Sequence, residues 1–321
     1  MLLKRMDLLV SIPIINMEHF NQNIKILHLE PSTVCNAKCP QCPRENTDLY
    51  NDNTNRNELT LSKCEELFDS KFIKNLDKMF MCGVFGDPAS TREALDIFKY
   101  FRKHNPNITL GLNTNGSIRS TSWWIELAEI FNKLTDYVIF SIDGLEDTNH
   151  LYRKNVHWHK VMTNAQAFID AGGSAHWDML IFKHNEHQLD EAEQLARSMG
   201  FSWFRHKVSK RFVTNPVQGI DAPSDFKLPN VTNVNKIKCH ALEDESLYVS
   251  ASGEKLPCCW IGSYIFNMDD HLLKLLDSEN WNGIEESWNN NPHTICSETC
   301  GVNDDEKSSF DAQWSKEIKL R

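Results

Sequence analysis

Three cysteines fall within eight residues, Cys35, Cys39 and Cys42, in the run Cys-Asn-Ala-Lys-Cys-Pro-Gln-Cys. At this CxxxCxxC spacing three thiolates can hold three corners of a four-iron cube. The fourth iron is then open to a small molecule, whereas a [4Fe–4S] centre ligated by four cysteines transfers electrons. Structural zinc takes four ligands, usually in CxxC pairs, and no fourth cysteine or close histidine completes this set; the nearest, His28, falls on the preceding strand. Three cysteines this close cannot pair off as disulfides. The iron–sulfur reading is preferred.

A second group follows far down the chain. Cys239 is followed after thirteen residues by Gly253, then after four more by Cys258, with Cys259, Cys296 and Cys300 beyond. Four of these five suit one further centre, an iron–sulfur cluster or a four-cysteine zinc ribbon. Cys258 and Cys259 are neighbours, and neighbours in a strand point to opposite faces, so only one of them fits a shared site. Cys64 and Cys82 read as small core residues.

These groups need a frame. Short β-rich runs alternate with helical patterns from residue 24: Ile24 to Leu29, Lys78 to Val84, Ile108 to Leu112, Tyr137 to Ile142, His176 to Phe182 and Phe201 to His206. Trp124, Leu127, Ala128, Phe131 and Leu134 recur at helical spacing. Ser62-Lys63-Cys64-Glu65 reads as a capping box, and Asn185 as the cap of a helix with stripe Leu189, Ala192, Ala196 and Met199 that Gly200 stops. Six strand–helix units imply parallel strands with right-handed crossovers, in an open sheet or a partial barrel, with function at the C-terminal strand ends. Leu247 to Ala251 and Lys255 to Pro257 read as a hairpin turned at Ser252-Gly253. The expected division is an N-terminal extension (1–23), a barrel (24–214), a linker (215–235), a cysteine-bearing region (236–310) and a tail (311–321). Asn46 to Asn57 reads as a polar loop.

The chain has 321 residues, and its net charge of -10 argues against a nucleic-acid partner. Its basic stretch, Lys207-Val208-Ser209-Lys210-Arg211, reads as a solvated strand end. No run approaches the roughly 18 apolar residues of a membrane span. Leu8 to Ile15 is broken by Ser11 and Pro13 and has no small-residue cleavage site after it, so it reads as a strand and not a signal peptide. Ten cysteines without a signal peptide predict a reducing, cytoplasmic setting.

The cysteine motif and its place after the first strand resemble the radical S-adenosylmethionine (SAM) superfamily, over most of the chain. The resemblance implies a partial (β/α)6 TIM-type barrel and a [4Fe–4S] cluster on Cys35, Cys39 and Cys42 whose open iron chelates SAM. An electron from the cluster would cleave SAM to a 5′-deoxyadenosyl radical, which takes hydrogen from substrate. Gln41 stands where the family usually has an aromatic residue. Gly83-Val84-Phe85-Gly86-Asp87-Pro88 is similar to the family's Gly-Gly-Glu-Pro turn, with Phe85 and Asp87 in place of Gly and Glu; Gly86 and Asp87 would receive the SAM amino group. Asn113 and Asn115 end the third strand with amides suited to a ribose or carboxylate, although an Asn-Gly turn explains them equally. Ser141 and Asp143 match the ribose-contacting strand. Arg153 is a candidate partner of the SAM carboxylate, or of a surface acid. Phe201 and Trp203 are expected to wall the adenine. His184 and His187 are candidates for proton transfer or for plain capping.

The later cysteines resemble the SPASM and twitch extensions of this family. That resemblance implies one auxiliary [4Fe–4S] cluster on Cys239, Cys258, Cys296 and Cys300, with Cys258 preferred for its glycine spacing and Cys259 in reserve. It further implies a peptide or protein substrate, which would be oxidised, crosslinked or epimerised, and an electron donor such as flavodoxin or ferredoxin. A small molecule such as a sugar or cyclitol is the alternative substrate, and a non-catalytic iron–sulfur or zinc protein the alternative class.

Overall fold

Burial alternates residue by residue along the strand Ala175–Ile181, with Trp177 and Met179 fully packed and His176, Asp178 and Leu180 half-exposed. That period of two divides the sheet into a packed face and an open one. In the computed structural model, which describes residues 24–46, 56–209, 211–227, 233–264, 269–276, 282–302, 308 and 314–321, six parallel strands run in chain order. They are β1 (Ile26–Leu29), β2 (Lys78–Met81), β3 (Thr109–Thr114), β4 (Tyr137–Ser141), β5 (Ala175–Ile181) and β6 (Trp203–Val208). Helices Ala94–His104, Thr121–Ile130, Trp158–Asp170 and Leu189–Met199 follow β2, β3, β4 and β5. This is the partial TIM-type barrel the sequence predicts.

The helices cover the packed face. Trp124 lies against Phe140 of β4, and Phe140 against Phe168 of the next helix. Deeply buried aromatic and aliphatic side chains fill this layer and give the barrel its core. The other face is the barrel interior, and its chemistry is mixed. His28 stacks on Phe80, His176 stacks on Tyr137, and the Lys78 ammonium stands 5.0 Å from both rings. Burial pulls His28 and His176 down to about 4, so both are neutral imidazoles near pH 7. Asp178 and Arg205, opposite each other on β5 and β6, make a two-pronged ion pair at 2.7 Å for each prong. Lys207 faces this interior and not solvent, contrary to the sequence reading, and burial lowers its pKa.

Several local expectations shift. Helix Leu61–Leu67 is capped by Thr60, whose side chain accepts from Lys63 N at 3.1 Å, two residues earlier than the Ser62 capping box. Asn185 stands at the start of the 3-10 turn Glu186–Gln188 that leads into the helix Leu189–Met199, but its side chain makes no capping bond: its Oδ1 accepts from Phe182 N while its Nδ2 donates to the carbonyls of Asp143 and Leu180, joining two strand ends. Gly200 does stop its helix, at φ 86°. Leu134 lies beyond its helix and is fully exposed. The proposed strand at Leu8 to Ile15 and most of the Asn46 to Asn57 loop lie outside the described residues.

The sheet is wider than six strands. After an antiparallel pair formed by β7 (Asn233–Ile237) and β10 (Gly301–Val302), the hairpin appears as β8 (Ser246–Val249) and β9 (Lys255–Leu256), turned at Gly253 with φ 91°. β8 pairs parallel with β1, so this part of the cysteine-bearing region continues the barrel sheet. At the opposite edge β11 (Trp314–Lys319), from the segment read as a tail, pairs antiparallel with β6. Arg321 then donates to Ser202 Oγ and to the Gly173 carbonyl. A chain ending at residue 313 exposes the β6 edge and is expected to melt several degrees lower, at about 2–4 °C per kcal/mol lost for a chain of this size. An unchanged melting temperature would mean that β11 contributes nothing to the barrel.

Candidate functional site

The loop of Cys35, Cys39 and Cys42 leaves the end of β1 and crosses the C-terminal mouth of the barrel. It has little secondary structure of its own beyond the Cys42 N to Cys39 O bond at 3.0 Å, so other strand ends must hold it. Asp87 N donates to the Val34 carbonyl at 2.8 Å, Lys38 N to the Lys154 carbonyl at 3.0 Å, and Arg44 Nη1 to the Cys35 carbonyl at 3.1 Å. Two side chains point donors at the sulfurs themselves: Asn115 Nδ2 lies 3.7 Å from Cys35 Sγ and Arg153 Nη1 lies 3.9 Å from Cys39 Sγ. Burial pushes the free Cys35 thiol up to about 12 and Cys39 to about 11. Thiolates here therefore call for positive charge and N–H donors, which is what iron and these two side chains would supply.

The two carboxylates in this set are committed to the fold. Asp87, 4% exposed, accepts from Thr114 Oγ1 at 2.8 Å, Asn115 N at 2.7 Å and Ala89 N at 2.9 Å. Asp143, fully buried, accepts from Arg153 Nε at 2.6 Å and Leu180 N at 2.7 Å. Arg153 is therefore neither a surface pair nor an isolated clamp. Burial alone would lower its pKa, but the Asp143 carboxylate outweighs this and raises it. Asn113 and Asn115 part company. Asn115 turns to the cysteine loop, with Nδ2 on Asn36 Oδ1 at 2.9 Å, while Asn113 faces the interior with a buried Oδ1 that no described residue satisfies. Ser141 ends β4, opposite Asp178 in the ladder.

Gly86 is tighter than the sequence implies. A Cβ there would sit 1.7 Å from the Ser32 carbonyl oxygen, and one at Gly83 would sit 1.8 Å from the Gly86 carbonyl oxygen. The close approach is thus to the stem of the cysteine loop, within the protein itself. One residue passed over in the sequence holds this turn: Glu30, 1% exposed at the end of β1. Its Oε1 accepts from Phe85 N at 2.7 Å and Gly86 N at 3.0 Å, and its Oε2 accepts from the Tyr248 hydroxyl on β8. A charged residue closing an otherwise apolar strand was the available signal.

Phe201 and Trp203 are not at this mouth. Phe201 packs under the sheet against Phe140 and Trp177, and Trp203 opens β6 at the far end, near His176. Their position at the start of β6 already sets them at its N-terminal end, away from the C-terminal mouth. His184 lies stacked on Phe182, and burial lowers its pKa.

In the second cysteine group, Cys239 precedes the turn His240–Glu243, Cys258 precedes the turn Cys259–Gly262, and Cys296 and Cys300 share one face of the helix Thr294–Cys300. The Cys258 thiol is within electrostatic reach of Cys239 and Cys296, and Cys296 of Cys300 and Cys239. Burial raises the pKa of the Cys259 thiol, and the neighbouring Cys258, Cys82 and Glu30 add to the rise. Among the described residues no three His, Cys, Asp or Glu side chains are drawn close enough to hold a single metal ion. No described helix is long and apolar enough to cross a membrane.

Three parallel observations now converge: a barrel of strand–helix units, a three-cysteine loop at its C-terminal mouth, and strand ends folded around that loop. The model of the radical SAM superfamily matches residues 29–196, and the chain belongs to this superfamily of enzymes. Among solved structures it is similar to Streptococcus suis SuiB bound to the precursor peptide SuiA, at 13% identity and TM-score 0.57, covering 90% of this chain and 70% of that one. It is similar also to anSMEcpe with bound AdoMet and the Cp18Cys peptide, at 17% identity and TM-score 0.54, covering 86% and 88%. These likenesses show the fold. No curated protein matches the chain.

The packing of Gly86 makes a direct test. Gly86→Ala is expected to lower both iron retention after anaerobic reconstitution and SAM binding by calorimetry, because its Cβ displaces the Ser32 carbonyl at the root of the cysteine loop. Full iron content in this variant would show that the turn yields without moving the loop.

Proposed function

We propose that Cys35, Cys39 and Cys42 hold a [4Fe–4S] cluster whose open iron binds SAM, that Cys239, Cys258, Cys296 and Cys300 hold an auxiliary [4Fe–4S] cluster, and that the substrate is a peptide or protein. The observation that carries the reading is the pair of N–H donors, from Asn115 and Arg153, aimed at two of three buried sulfurs in one loop. When bound, the first cluster supplies the electron that cleaves SAM. The protein groups prepare its place. Glu30 fixes the backbone of the Phe85–Gly86 turn proposed to receive the SAM amino group. Asp87 locks that turn to the end of β3, and Asp143 orients Arg153 over Cys39. Ser141 and Asn113 remain the proposed contacts along the interior wall.

Support for the auxiliary cluster comes from the spacing of Cys239, Cys258, Cys296 and Cys300 and from the helix Thr294–Cys300, which sets Cys296 and Cys300 one turn apart. A peptide substrate is favoured by the fold shared with SuiB and anSMEcpe, both solved with peptides. The polar interior, with the Asp178–Arg205 pair, favours a small polar molecule as the second reading. Flavodoxin or ferredoxin is the proposed electron donor.

The two clusters separate by experiment. Reconstituted protein is expected to hold about eight irons. Cys296→Ala together with Cys300→Ala should reduce this to about four, while dithionite-driven formation of 5′-deoxyadenosine from SAM persists. A variant with native circular dichroism that cannot cleave SAM, or that keeps all its iron, would overturn the assignment.

A further inference from the structure

The segment from Asn215 to Lys227 lies in the stretch that reads as a linker, and it contains no helix or strand, yet it is pinned at three points around the barrel mouth. Gln41 Nε2, in the cysteine loop, donates to the Asn215 carbonyl at 3.2 Å. Lys183 N, just past the end of β5, donates to the Asp221 carbonyl at 3.0 Å. Glu186 accepts from Ser224 N at 2.6 Å and from Ser224 Oγ at 2.7 Å. Between the first two ties, Ile220 N closes a tight turn on the Val217 carbonyl at 3.1 Å. Ordering irregular chain costs backbone entropy, and loops held on a rigid scaffold are where binding residues concentrate.

These ties shape a cavity of about 420 Å³. Its wall is mostly apolar, made by Phe212, Pro216, Val217, Ile220 and Phe226. Phe212 meets Phe226 edge-on at 5.4 Å and the fully buried Phe182 at 5.6 Å, so this wall is anchored on the barrel core. Gln218 and Asp221 are its polar members, and both are exposed. Ligand pockets run from roughly 300 to 1,000 Å³, so a space of this size suits a single ring-sized group. The wall asks for an amphipathic one: an apolar body against the phenylalanines, and a donor for the acceptors of Gln218 and Asp221 at the exposed edge. Trp and Tyr side chains have that form, and each buries a large area while immobilising few rotatable bonds. A lysine could also reach Asp221, but an ion pair with an exposed carboxylate adds little, and its thin stem leaves much of the space unfilled.

We propose that this cavity is a substrate subsite for one aromatic side chain that carries a donor on its edge, a Trp or Tyr of the peptide. The proposal rests on the peptide reading above and deepens it by naming a residue that the peptide must contain. Pro216 follows directly on Asn215, whose carbonyl is bonded to the cysteine loop. A side chain seated here therefore lays the adjoining residues of the same peptide along the mouth beside that loop. The cavity selects substrates by an anchor and not at the reacting bond.

The test uses the full chain, anaerobically reconstituted, with the N-acetyl amides of Trp, Tyr, Phe, Leu and Lys and with 3-methylindole, each titrated and followed by ligand-observed NMR. The Trp and Tyr amides are expected to bind about tenfold or more tightly than the Leu and Lys amides, a ranking that needs no variant to fold. The Tyr amide should exceed the Phe amide by about threefold, and Asp221→Ala should remove that margin. Val217→Trp, which fills the cavity, should weaken the Trp amide about tenfold while circular dichroism stays native. Equal binding of all the amides, a Lys amide that ranks first, a Tyr amide no tighter than the Phe amide, or no detectable binding of the Trp amide overturns the proposal. So does a folded Val217→Trp protein that binds the Trp amide as the wild type does. A protein that keeps the ranking but binds 3-methylindole about tenfold more tightly than the Trp amide retains the aromatic subsite and overturns the peptide reading, since the backbone of the blocked residue then does not fit.

Discussion

The carboxylate of Asp87 is the constraint on which the mouth of the barrel depends. It takes three hydrogen bonds, from the Thr114 hydroxyl and the amides of Asn115 and Ala89, while its own N–H goes to Val34 at the start of the cysteine loop. One side chain thereby registers the β2 turn, the end of β3 and the loop that bears three thiols. Hydrogen bonds to a charged acceptor contribute about 1.5–3 kcal/mol each, and removing a buried acceptor strands its donors. Because Asn115 N is held this way, the Asn115 side chain is free to lie along the loop, where its amide reaches Asn36 and Cys35.

Glu30 extends the same logic across the sheet. Its two oxygens hold the Phe85–Gly86 amides on one side and Tyr248 of β8 on the other. Burial raises its pKa, and the hydrogen bonds oppose that rise. Tyr248 in turn packs where Gly262 leaves no room for a side chain, at the end of the turn that begins with Cys259. The loop proposed to hold the SAM-binding cluster and the region proposed to hold the auxiliary one thus share a buried connection through β1 and β8.

How far the sequence could be read follows from which forces are local. Strand period and helix stops are local, and β1 to β6 emerged with bounds shifted by one to three residues. The three-cysteine loop was legible because its ligands are close in sequence. Pairings between distant segments were not: nothing in Ser246–Val249 announces a parallel partner at Ile26–Leu29, and nothing in Trp314–Lys319 announces β6. The partners of the buried carboxylates were illegible for the same reason. Asp87 and Asp143 look like ligand contacts in a motif, and only the structure reveals the Thr114, Asn115, Arg153 and Leu180 groups that they accept from. Gly86 was singled out correctly as a close approach, but the group approached, Ser32, is on another segment.

The account turns on one open iron at Cys35, Cys39 and Cys42. Electron paramagnetic resonance of dithionite-reduced, anaerobically reconstituted protein with and without SAM examines that site directly, since a new ligand on the cluster alters its g-values. The account predicts a [4Fe–4S] signal that shifts on adding SAM, in the double alanine variant of Cys296 and Cys300 as in the wild type. A reduced-cluster signal that SAM leaves unchanged in both proteins would contradict it.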